Sequence, residues 1–201
     1  MIFEVSHKTT YHYTAPVAQA NHLVHLSPRP HERQRVMHHS IEVSPAPATR
    51  NDFTDYFGNP ASTVAIESSH SELRIHAKSV VEVNAPAAVD LAASTPWDKL
   101  ADDLAPPKKI AELDAAQFLA PSWHTAITSE LIAFAGPSFA PGRPVLECAH
   151  DLTHRIHTEF AYDGAATDIA ITTDELLKIR RGVCQDFAHL LIASMRAFGL
   201  P

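Results

Sequence analysis

The sequence predicts an α+β protein, an N-terminal antiparallel β-sandwich followed by a mainly helical segment. Three observations carry this. Residues 1–85 hold short runs of β-branched and aromatic residues in alternating patterns, separated by turn signals. Prolines then punctuate the chain from Pro86 to Pro144. From Pro144 onward, apolar residues recur at the three-to-four spacing of a helix.

The elements follow in order. Phe3, Val5 and Thr10-Tyr11-His12-Tyr13 are strand-forming, and Asn21–Leu26 suits a second strand. Arg33–Val43 alternates and stops at Pro45 and Pro47. Asp55-Tyr56-Phe57-Gly58-Asn59-Pro60 predicts a tight turn, because Gly and Asn tolerate positive φ and Pro ends ladder pairing. Ser62–Ser68 and Glu72–Val83 complete the strands of a first domain, residues 1–85. Residues 86–143 read as a Pro/Ala-rich linker with short helices such as Ser122–Ala135, anchored by Trp97, Phe118, Leu119 and Trp123.

Residues 144–201 form the helical part. Val145–Phe160 has a helical register through Leu146, Ala149, Leu152, Thr153 and Ile156. Thr173-Asp174-Glu175 starts a short helix that Arg180-Arg181-Gly182 ends, glycine being favoured just past a helix C-terminus. The last helix runs from about Cys184 to Phe198 and is apolar on nearly all sides, as a centrally buried helix is.

Composition narrows the function. The net charge of −7 offers no broad cationic surface, so nucleic acid and anionic membrane are not expected partners. No basic-then-apolar leader and no apolar run of about 18 residues is present, which predicts a cytoplasmic protein. Two distant cysteines, Cys148 and Cys184, do not make a disulfide framework and fit a reducing compartment. Cys148 reads as a buried small hydrophobe.

The chemistry concentrates at Gly182-Val183-Cys184-Gln185-Asp186-Phe187-Ala188-His189. A cysteine in the first turn of a buried helix lies where unpaired N–H groups and the helix dipole favour a thiolate. Its own N–H points to where a tetrahedral oxyanion would form. His189 lies about 140° around the helix from Cys184 and faces elsewhere. Asp186, about 200° away, suits support of the helix start. Arg180-Arg181 either acts on the thiol or an acidic group, or simply complements a helix C-terminus. His150, His154 and His157 share a helix face at metal-ligand spacing, but no HExxH glutamate accompanies them, so a solvated polar face is expected and no metal or cofactor.

The segment Arg180–His189, continuing to Arg196-Ala197-Phe198-Gly199-Leu200-Pro201, resembles the nucleophile segment of the bacterial transglutaminase-like family. Phe160-Ala161-Tyr162-Asp163 and Thr173–Leu177 are similar to the stretch preceding it. Tyr11-His12-Tyr13 with Pro16-Val17, Leu26-Ser27-Pro28-Arg29, Ile41-Glu42-Val43-Ser44-Pro45 and Asp55–Pro60 resemble the family's β-rich N-terminal domain. The resemblance implies a papain-like core, with residues 144–201 as its first part. It implies Cys184 as nucleophile in acyl transfer, hydrolytic or transamidating, on a peptide or protein amide. The family's histidine and aspartate follow the cysteine helix, so this chain alone is expected to be inactive. If the sheet that covers this helix is missing, Leu190, Leu191, Met195 and Phe198 would form an exposed patch, which predicts self-association, domain exchange or disorder of the C-terminal segment. The alternative is a non-catalytic β-sandwich module for binding or assembly, with structural helices.

Overall fold

The computed structural model describes residues 1–107, 109–164 and 171–201. The chain divides into two compact units, Met1–Ala88 and Val89–Pro201.

The first unit contains β1 (Ile2–Val17), β2 (Ala20–Val24), β3 (Gln34–Ser44), β4 (Thr49–Thr54), β5 (Pro60–Ile66) and β6 (His70–Val83). They form two antiparallel three-stranded sheets, ordered β1-β6-β3 and β2-β5-β4. Alternation fixes which face is buried, since successive side chains of a strand point to opposite sides. On β6, Leu73 and Ile75 point inward and meet Val24, Val64 and Ile66 of the other sheet, with Tyr13, Ile41 and Val43 closing the margin. This is the expected β-sandwich. The strand β4 was not anticipated, because Thr49–Thr54 is exposed along its length and carries no apolar alternation. The turn between β4 and β5 forms as the sequence predicts. Gly58 has φ +79°, and Asp55 Oδ1 accepts from the N–H groups of Phe57 (2.9 Å) and Asn59 (2.8 Å).

The second unit contains α1 (Trp97–Leu104), α2 (Ile110–Ala116), α3 (Ser129–Ala135), α4 (Val145–Glu159), β7 (Ala161–Tyr162), α5 (Thr173–Ile179), β8 (Arg181–Gly182) and α6 (Cys184–Ala197). Leu131, Phe134 and Ala135 of α3 share one core with Cys148, Leu152 and Ile156 of α4, Leu176 of α5, and Leu190 and Ala193 of α6. Part of the Pro-rich stretch 86–143 therefore supplies core. Trp97 anchors as expected, edge-on to Phe139 and Phe198, with its indole N–H on the Ala140 carbonyl at 2.8 Å. Trp123, expected as an anchor, is instead exposed.

Two helical expectations change. In α4 the inward stripe is Cys148, Leu152 and Ile156, whereas Leu146 and Thr153 face outward. The apolar patch expected on α6 does not form. Leu190 is fully buried, and Leu191, Met195 and Phe198 pack against the shared core, because α3, α4 and α5 already surround that face.

Candidate active site

The site is assembled around one chain reversal. Thr172 caps α5, its hydroxyl accepting from the Glu175 N–H at 3.3 Å while Glu175 Oε2 accepts from the Thr172 N–H at 2.8 Å. This reciprocal capping box fixes where the helix begins. The helix ends at Arg180, which adopts the left-handed conformation at φ 52°. Glycine was expected to make this turn, but Gly182 lies two residues further on, inside β8.

Gly182 serves a different purpose. A Cβ built there would lie 2.8 Å from Asp186 Oδ2 and 2.9 Å from Leu176 Cδ1. The absent side chain lets the incoming strand press against α5 and the first turn of α6. Asp186 Oδ2 uses that space to accept from the Val183 N–H at 2.8 Å. A carboxylate at the third helical position thus satisfies the backbone at the helix entrance and complements the N-terminal dipole. This is the supporting role that its position on the helix suggested.

Strand β7 runs parallel to β8, with Ala161 opposite Arg181 and Tyr162 opposite Gly182. The Ala161 N–H donates to Arg180 O at 2.9 Å, and the Asp163 N–H donates to Gly182 O at 3.0 Å. These two bonds hold the segment that delivers Cys184 to the helix start.

Cys184 is the first residue of α6 and is exposed, while the helix behind it buries Asp186, Leu190, Ala193 and Ser194. Its exposed neighbours one and two turns on are Ala188 and Ile192. Cys148 is the opposite case. It is fully buried, and burial pushes its thiol above the ordinary value.

The His189 ring stacks on His124 at 5.0 Å with an interplanar angle of 17°. Burial first, then His124, lowers its pKa, and Asp186 opposes the shift. The sequence did not reveal this pair, because nothing local joins the turn Trp123–Thr125 to α6. Arg180 is likewise committed elsewhere, donating to Glu159 Oε2 at 2.9 Å and lying 4.7 Å over the Phe160 ring. His150, His154 and His157 are exposed on α4. Among the described residues, no three metal-ligating side chains converge.

Residues 3–82 match the bacterial transglutaminase-like N-terminal region, and residues 133–201 match the transglutaminase-like superfamily core. Both matched regions are transglutaminase-like, and the cysteine segment described above lies in the core match. Uncharacterized proteins of Mycobacterium tuberculosis and Mycobacterium bovis are each 36% identical over 201 residues, covering 98% of this chain. A Mycobacterium leprae protein is 27% identical over 98% of this chain. The chain spans 62% of the length of the first two relatives and 67% of the third. The fold is similar to that of a candidate cysteine protease from Cytophaga hutchinsonii, at a TM-score of 0.72 and 19% identity, over all of this chain and 67% of that one. That similarity of fold extends over the residues of both units. Among the described residues, no helix is long and apolar enough to cross a membrane.

Proposed function

We propose that this chain is the N-terminal portion of a cysteine enzyme that transfers acyl groups from peptide or protein amides, with Cys184 as its nucleophile. The observation that carries the reading is the placement of Cys184, exposed at the first turn of a helix whose other face is buried in the core, and delivered there by a hydrogen-bonded strand. In this reading the Cys184 thiolate attacks the amide carbonyl carbon. The carbonyl electrons move to oxygen, and helix N-terminal N–H groups stabilise the resulting oxyanion. Collapse expels the amine, which takes up a proton, and leaves a thioester on Cys184. Water or a second amine then attacks the thioester, giving an acid or a new amide and restoring the thiol. Neither His189 nor His124 is assigned as proton acceptor in this scheme, because the family's histidine follows the cysteine helix. The general base and the acid that orients it belong to the part of the enzyme outside this chain, so the chain alone turns over no amide. Two free cysteines accord with a cytoplasmic location.

An activated ester separates the nucleophile from the rest of the machinery. Incubation with 4-nitrophenyl acetate followed by peptide mass mapping is expected to place an acetyl group on Cys184 and none on Cys148. Cys184→Ser should abolish the adduct without altering the fold. Equal acetylation of both cysteines, or none at Cys184, would reject the assignment and favour a binding or assembly module.

A further inference from the structure

The reversal that leads into Cys184 has an unusual residue at its apex. Arg180 is the one non-glycine residue with positive φ among the described residues. Side chains other than glycine, asparagine and aspartate rarely adopt this conformation, and it persists only where the surroundings hold it. Here the surroundings are specific. The guanidinium donates to Glu159 Oε2 at 2.9 Å and lies over the rings of Phe160 at 4.7 Å and Phe134 at 5.3 Å. Glu159 is itself fixed from its other oxygen, which accepts from Arg155 Nε at 3.1 Å. Arg155 in turn donates to the Phe134 carbonyl at 2.7 Å. Glu159 and Phe160 directly precede β7, and Arg180 directly precedes β8.

The same residue therefore joins the two strands twice, through its side chain to the residues before β7 and through its carbonyl to the Ala161 N–H. We propose that Arg180 is a positioning residue for the nucleophile, its clamp on Glu159 and Phe160 setting the register of β7 against β8 and thereby the placement of Cys184. This rests on Cys184 being the nucleophile. Arginine suits the task better than lysine, because its planar group pairs with a carboxylate and stacks on a ring at once.

Three backbone amides report the clamp: Ala161 and Asp163 in the strand pairing, and Val183 bonded to Asp186. The test compares the intact chain with Arg180→Gly, which keeps the left-handed turn and removes the guanidinium, and with Arg180→Lys. Hydrogen exchange at these amides should accelerate about tenfold in Arg180→Gly while Leu152 in α4 stays protected, because the opening is local. Methylguanidinium at non-denaturing concentration should restore protection to Arg180→Gly, and Arg180→Lys should fall between the two. A general loss of stability would instead raise exchange throughout α4 and would not respond to guanidinium. Glu159→Gln gives a second route should Arg180→Gly fail to fold, with acceleration expected at the same three amides. Exchange within twofold of the parent in the folded variants would overturn the proposal. Acetylation of Cys184 by 4-nitrophenyl acetate, measured in parallel on the parent, decides the nucleophile assignment separately. Its absence there would remove the catalytic purpose while the exchange data still decide the clamp.

Discussion

Adding one methyl group at residue 182 should damage this protein more than its size suggests. In Gly182→Ala the new Cβ would stand 2.8 Å from Asp186 Oδ2 and 2.9 Å from Leu176 Cδ1, inside the limit real Cβ atoms respect. Neither neighbour yields freely. Leu176 is fully buried in the shared core, and Asp186 is buried while its carboxylate holds the Val183 N–H. If Asp186 retreats, that hydrogen bond is lost, at about 1.5–3 kcal/mol for a bond to a charged group. If Leu176 retreats, overpacking costs about 1–3 kcal/mol. Taking about 3 kcal/mol for the combination, and about 4 °C per kcal/mol for a unit of this size, the transition should fall by about 12 °C. Tryptophan fluorescence is a suitable assay, since Trp97 and Trp123 both lie in the second unit. A decrease of less than about 3 °C would show that the strand moves aside without cost, and would refute the role given to Gly182.

Other outcomes follow from the same structure. Leu152→Ala removes a fully buried side chain from the shared core and should destabilise the second unit by about 2–5 kcal/mol in urea titration monitored by tryptophan fluorescence. His189 has a folded-state pKa lowered from 6.5, chiefly by burial and then by His124. The unfolded state therefore binds more protons just below that value. The stability it contributes is complete above pH 6.5 and is lost as pH falls from there through the folded pKa. His189→Gln should flatten that part of the stability profile; an unchanged slope would show that His189 does not carry it.

The parts of the fold legible in the sequence were those with local causes. Alternation marked β6, and a Gly-Asn-Pro turn marked the reversal at Gly58. The apolar residues of α6 marked a core helix, although Cys184, Ala188 and Ile192 line an exposed stripe where burial on nearly all sides was expected, and Cys184 could be placed at its start. What escaped depended on partners distant in the chain. Thr49–Thr54 is a strand because β5 pairs with it, not because its own residues favour one. The exposed patch expected on α6 vanished because α3, drawn from the Pro-rich stretch, packs there. The turn expected at Gly182 moved to Arg180 because ring and carboxylate contacts from α4 and Phe160 support a conformation that local preference disfavours. The His124–His189 stack had no sequence signal for the same reason.

The pairing of β1 with β6 has a consequence in time. Ile2 lies opposite Glu82, and the Met1 ammonium donates to the Val83 carbonyl at 2.8 Å, so residues near one end of the unit are matched with those near its other end. Contacts closing such long loops slow folding, because the entropy of closure is spent before the ladder returns it. The longest strand of the sandwich must therefore wait on the ribosome, unpaired along its ladder edge, until residues 70–83 have emerged. Its exposed Ile2, Phe3 and Val5 are available to misassemble throughout that interval.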